Sequence, residues 1–287
     1  MGSSEDQDFR GFVDYLTNLG RSELTVKAYL ADMAIFRDFC PKKPGRISRQ
    51  DLDAYMGHLR AKGQSPKTIR RRVASVSSFF RYLGYSGRLA KNPAHGLALP
   101  KMAQKLPEVL TEAEVASMLS AGGPGPQEAL DRLVGELLYS TGGRLAELAG
   151  ARLSDLDLEA GTLRVVGKGN REAVLLLTNR CKELLRVYVA SRTGDDDILL
   201  LGAGGRPLGR MGIYRAVKRL AHKSGIGKRV CPHKFRHSIA TAMLSRGCDL
   251  RSVQEFLRHK SVATTEIYTH VSAERLKEQH RKFHPLP

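Results

Sequence analysis

At 287 residues the chain is long enough for one large domain or two ordinary ones, each burying its own core. Its formal net charge of +18 at pH 7 and pI near 10.0 exceed what solubility requires and attract polyanions, nucleic acid first. No stretch approaches the roughly 18 to 20 uninterrupted apolar residues of a membrane-spanning helix. The start, MGSSEDQDF, lacks the basic segment and apolar run of a secretory signal, and Asp6 spoils a myristoylation pattern, so a cytoplasmic protein is expected.

Cys40, Cys181, Cys231 and Cys248 stand apart without CxxC spacing, which points to reduced thiols. Cys231, His233, His237 and Cys248 contain an i, i+4 histidine pair, but the cysteines bracket it at no familiar zinc spacing; no metal site is expected.

Residues 1–100 read as helical throughout. The run from Asp8 to Gly20 spaces Phe9, Phe12, Val13, Leu16 and Leu19 as one helix, with Gly20 at its end. A second helix follows Ser22 as N-cap, with Leu24, Tyr29, Ile35, Phe36 and Phe39 among its apolar positions. Ser48 and Asp51 form the capping-box pattern of a third, and Ser65 caps a fourth with Pro66 in its first turn. The fourth carries Lys67, Thr68, Arg70, Arg71 and Arg72 beside an apolar stripe of Ile69, Val73, Val76 and Phe80, so one face can pack while another meets phosphates.

Prolines interrupt the pattern between Lys91 and Val115, and a linker is placed at 101–107 before a helix that begins at Thr111. The part from 108 to 287 is mixed. Helices around 131–142 and 144–150 precede two β-rich runs in GTLRVVGKGNREAVLLL, which read as a hairpin. Helices follow at 181–192, 209–225, 232–247, 250–259 and 262–272, with a last basic one from Ala273.

Certain side chains have the chemistry to handle a phosphodiester. Arg144 opens a helix, where its fork and the helix start both favour an anion; Glu147 is read only as a partner for a nearby cation. Lys168, between glycines in the hairpin turn, is free to swing toward a leaving alkoxide or simply to face solvent. His233 and Arg236, three apart after Pro232, share a helix face while Ile239, Met243 and Leu244 turn to the core. His259 falls between two helices. Tyr268 follows on the second of them, with Ser261 as its cap, and is either a nucleophile or an ordinary packed phenol. A phenol's ordinary pKa of about 10 makes nearby positive charge and a base necessary for attack.

Taken in order, Arg144, Lys168, His233, Arg236, His259 and Tyr268 resemble the catalytic signature of the tyrosine recombinases, which include phage integrases and Xer-type enzymes. The resemblance covers nearly the whole chain. It implies a mainly α fold with a small β-sheet (α+β), in which an all-helical N-terminal core-binding domain and a mixed C-terminal catalytic domain form a C-shaped clamp on double-stranded DNA. It implies that Tyr268 attacks the scissile phosphate to leave a 3′-phosphotyrosyl link, and that Arg144, Arg236 and His259 stabilise the transition state. Lys168 then protonates the 5′-oxygen, and His233 acts as base.

No cofactor, metal or ATP is expected, since the phosphodiester is exchanged for a phosphotyrosyl ester and back. The partner implied is a specific recombination site bound by a homo- or hetero-tetramer, acting in chromosome or plasmid dimer resolution. No arm-binding module is expected before the core-binding segment. The C-terminal helix either packs onto a neighbouring protomer through Leu276 and Phe283 or stays in cis.

Two positions depart from the pattern. Arg258 stands where the family usually has glycine, which could distort the turn or add a DNA contact, and Gly143 replaces an aliphatic residue and could loosen the helix start. His237 is read as structural support. A mobile-element integrase, a topoisomerase-type relaxase and a non-catalytic DNA-binding architectural protein remain as alternatives.

Overall fold

The computed structural model describes residues 4–101, 108–121, 123, 125–167, 171–258 and 270–286. The chain divides into two compact units, Met1–Lys105 and Leu106–Pro287.

The first unit is built from α1 (Ser4–Asn18), α2 (Glu23–Phe39), α3 (Arg49–Ala61) and α4 (Pro66–Tyr85). Its helix starts follow local chemistry. Ser22 and Ser65 accept from the backbone N–H three residues on, and Ser48 and Asp51 satisfy each other's backbone in a capping box. Phe12, Leu16, Met33, Phe36, Tyr55, Leu59, Ile69 and Phe80 form the core, with Phe36 packed edge-on against Tyr55 at 5.0 Å. The expected stripes need correction at their ends, because Leu19 and Leu24 are 52% and 64% exposed and Ile35 is also exposed. On α2 the inward face is set instead by Val26, Met33 and Phe36.

One buried charge ties α2 to α4. Asp32, 2% exposed, accepts from Arg71 Nη1 and, at 2.8 Å, from Ser75 Oγ, with Arg72 Nε at 3.9 Å. A buried carboxylate needs such partners. Arg70 Nη1 donates to the carbonyl of Pro100 at 3.0 Å. Three of the cations expected to face phosphates therefore also hold their own domain together.

The second unit comprises α5 (Glu112–Ser120), α6 (Pro126–Thr141), α7 (Leu145–Ala149), α8 (Asn179–Ser191), α9 (Gly209–Lys223), α10 (Pro232–Ser245), α11 (Leu250–Leu257) and α12 (His270–Phe283) around a small sheet. The sheet has the order β1 (Leu156–Asp157), β2 (Thr162–Val166), β3 (Glu172–Leu176), antiparallel throughout, with Leu163 opposite Leu156 and Leu175. β2 and β3 are the expected hairpin; β1, two residues long, has no sequence signal of its own. Leu163 and Val165 alternate inward while Val166 faces solvent, the period of a half-covered strand.

α6 is the centre of this unit. From Leu133 to Thr141 every residue is buried, with α5, α8, α9 and α10 packed around it. Its carboxylate Glu136 is paired with Arg180, and Asp131 takes a two-pronged bond from Arg219, Nε and Nη2 each at 2.6 Å. Leu244, expected in the core, is 40% exposed, whereas Ile239 and Met243 are buried as expected.

α12 corrects another boundary, because residues 270–272 run on without a break into the helix of the basic tail, expected to begin at Ala273. Its Leu276 and Phe283 pack on this chain's own core. In its last turn and directly after it, His280 and His284 are 5% and 1% exposed, with Nε2 atoms 3.0 Å from the Ser140 carbonyl and 3.2 Å from that of Tyr139. They face the last turn of α6, where helix carbonyls lack partners of their own.

Candidate active site

α6 ends at Gly142, whose φ of 55° is left-handed and whose added Cβ would stand 2.7 Å from Leu257 Cδ2. Glycine alone meets both conditions. Gly143 N–H then donates to Thr141 Oγ1 at 3.0 Å, and a Cβ on Gly143 would meet the same oxygen at 2.9 Å, so this departure from the family pattern tightens the corner rather than loosening it. The turn delivers Arg144 to the N-cap of α7.

Arg144 is held from two sides. Its backbone N–H and Nη1 donate to the two oxygens of Glu147 at 2.9 and 2.7 Å, and its Nη2 donates to the carbonyl of Arg258 at 3.2 Å. The side chain remains 40% exposed, so part of the guanidinium still faces outward.

Arg236, presented by α10, is 4% exposed. Its Nη1 donates to the carbonyl of Gly142 at 2.5 Å and its Nη2 to that of Leu257. Arg144 and Arg236 thus grip consecutive carbonyls, Arg258 and Leu257, at the end of α11, while Arg236 also grips the corner that leads into Arg144. Burial, together with Arg144 and Arg258 nearby, pushes the Arg236 guanidinium down to about 10, still charged at neutral pH.

Glu147 has a place in this cluster that the sequence reading gave no chemistry. It is 2% exposed, and Arg258 Nη2 reaches its Oε2 at 3.0 Å. Burial pushes its carboxyl up, but Arg258 and the N–H groups of Arg144 outweigh that and hold it below the usual range. The available signal was its position three after Arg144, the acidic position of a capping box.

Arg258 is an N–H donor to this carboxylate and, at 3.3 Å, to the carbonyl of Val174 on β3, with its side chain 15% exposed. Its backbone is left-handed, φ 55° and ψ 48°, and caps α11 through its N–H to the Glu255 carbonyl. The turn keeps the geometry that glycine would give it.

His233 lies exposed in the first turn of α10, its ring 4.3 Å from that of His237 in an edge-on arrangement. Lys168, His259 and Tyr268, with the cap Ser261, lie outside the described residues. The cluster brings together Arg144, Arg236, Arg258 and Glu147; Lys67, Thr68, Arg70, Arg71 and Arg72 belong to the other unit.

Among the described residues no group of three or more His, Cys, Asp and Glu side chains is placed to hold a metal ion, and no helix is long and apolar enough to cross a membrane. What remains is a water-accessible cationic surface beside a buried cationic post, an arrangement suited to an oxyanion whose charge grows during reaction.

Residues 108–275 match the phage integrase family and residues 9–86 its N-terminal SAM-like domain. The tyrosine recombinase XerD of Listeria monocytogenes is 36% identical, over 97% of this chain and 98% of that one. The tyrosine recombinase XerC of Lactobacillus delbrueckii subsp. bulgaricus is 37% identical, over 96% and 97%. A lambda integrase tetramer bound to a Holliday junction shares the fold at a TM-score of 0.75 and 19% identity, covering 93% of this chain and 81% of that one. The chain belongs to the phage integrase family of tyrosine recombinases.

Proposed function

We propose that this protein is a site-specific recombinase that cuts and rejoins duplex DNA, with Tyr268 as nucleophile, and that it resolves chromosome or plasmid dimers. The observation that carries the reading is the pairing of Arg144 with Arg236. One guanidinium is part-exposed on a helix start, and the other is buried behind it on the carbonyls of Gly142 and Leu257. Such a pair offers a phosphate one guanidinium that can turn onto a non-bridging oxygen and a second, fixed positive charge behind it, and positioning with charge stabilisation is most of what phosphoryl transfer needs.

In this scheme the Tyr268 oxygen bonds to phosphorus as the bond to the 5′-oxygen breaks. His233 takes the phenolic proton and Lys168 supplies one to the leaving oxygen. His259 adds a hydrogen bond to the phosphoryl group. Rejoining reverses each transfer, with a 5′-hydroxyl from the partner duplex as attacking group.

The exposed Lys67 and the edge formed by Thr68 and Arg70 to Arg72 contact the DNA backbone, which gives affinity more than sequence selection. Protomers assemble on DNA as a tetramer, as the lambda integrase does on its junction. The protein works in the cytoplasm, on the nucleoid.

A plasmid carrying two directly repeated candidate sites tests this. Two resolved circles from purified protein are expected. Relaxed topoisomers without recombinants would replace the reading with a topoisomerase-type one, and bound but unchanged plasmid at every site tried, with or without a paralogous partner, would replace it with an architectural one.

A further inference from the structure

The guanidinium of Arg258 has no part in the scheme above, yet it is turned inward onto the carboxylate that holds Arg144. Glu147 is a buried anion, and a buried anion that loses its only cation is strongly disfavoured. When a scissile phosphate draws on the charge of Arg144, Glu147 would be left under-compensated if Arg144 were its sole partner. It has a second partner: Arg258 Nη2 sits on Oε2 at 3.0 Å while Arg144 Nη1 sits on Oε1 at 2.7 Å.

Arg258 also bonds the Val174 carbonyl and, through its backbone N–H, caps α11, so this one residue joins β3, α7 and the end of α11, directly before His259 in sequence. We infer that Arg258 is a positioning residue that keeps Glu147 charged and in place while Arg144 turns its guanidinium to the phosphate. The inference rests on the recombinase reading and adds to it a part for a residue standing where glycine is usual.

The backbone makes the test clean. At φ 55° a side-chain-bearing residue is uncommon, and glycine adopts this conformation freely, so Arg258→Gly removes the guanidinium while easing the turn. The experiment measures single-turnover cleavage of a nicked suicide duplex, DNA affinity and thermal unfolding for the wild type, Arg258→Gly, Glu147→Gln and the double variant.

Arg258→Gly is expected to slow cleavage by about tenfold or more at saturating DNA, with affinity changed less than about twofold and the melting transition retained. In the Glu147→Gln background, where no buried charge needs a second cation, the same substitution is expected to cost less than about twofold, a non-additive cycle. Wild-type cleavage rates retained in Arg258→Gly would overturn the inference, as would equal losses in both backgrounds. A wild type that forms no adduct on a substrate it binds would instead remove the recombinase reading beneath it.

Discussion

Lowering the pH from about 7.5 to about 5 should loosen the C-terminal helix. His280, in the last turn of α12, and His284, directly after it, turn inward with their rings 4.7 Å apart, facing the Ser140 and Tyr139 carbonyls, the Phe256 ring, the Leu286 N–H and, farther off, Arg246. Burial pushes His280 down from 6.5 to about 4; burial and the neighbouring His280 push His284 down to about 3. Both are neutral in the fold, whereas the unfolded chain protonates them near 6.5. The unfolded state therefore binds more protons in the window between, and stability is full above about pH 6.5 and is lost as pH falls toward the folded values.

At about pH 5 each imidazole costs about 2 kcal/mol by this linkage, and the pair about 4 kcal/mol, a sizeable share of a domain's usual stability. At roughly 2 to 4 °C per kcal/mol the melting temperature of the catalytic unit should drop by roughly 8 to 16 °C. Glu136, whose carboxyl burial pushes up, titrates in the opposite sense, but it does so in any histidine variant as well. Scanning calorimetry of the wild type and of His280→Gln/His284→Gln across that pH range isolates the pair, since glutamine can still donate to the carbonyls. An acid shift of the same size in the double variant, or none in the wild type, would rule out the two histidines as its source.

Arg236→Ala should abolish strand cleavage and also destabilise the catalytic unit by about 3 kcal/mol, because the carbonyls of Gly142 and Leu257 lose a charged donor together; urea unfolding reads the second effect separately from activity. Asp32→Ala should cost the helical unit about 3 kcal/mol by leaving Arg71 and Ser75 without their buried acceptor, measurable as a lower denaturation midpoint. Lys67→Ala should leave that midpoint unchanged while weakening DNA binding and lowering the salt-dependence slope by about one, which a titration at several salt concentrations checks.

The helix starts were legible because their information is local. Ser22, Ser48 with Asp51, Ser65 and Thr111 each form the cap that their spacing announces. What depends on partners distant in sequence was not. Leu24 and Ile35 look as apolar as Met33 until α2 is rolled against α4, and Asp32 reads as a surface acid until Ser75 arrives from another helix.

In the site the order of Arg144, His233 and Arg236 was readable, but not that Arg236 would be buried under carbonyls from α6 and α11. Nor could the sequence tell whether Arg258 would turn outward to DNA or inward to Glu147, since both outcomes use the same left-handed turn. A strand of two residues such as β1 carries no periodicity at all, and its place is dictated by the longer hairpin beside it.

The proposed chemistry turns on Tyr268 becoming joined to DNA. Wild-type protein and Tyr268→Phe, each incubated with nicked suicide duplexes from candidate host sites and run on a denaturing gel, test it most directly. A slow-migrating protein–DNA adduct is expected from the wild type alone, with peptide mapping placing the phosphate on Tyr268. An adduct that persists in Tyr268→Phe, or maps to another residue, would contradict it.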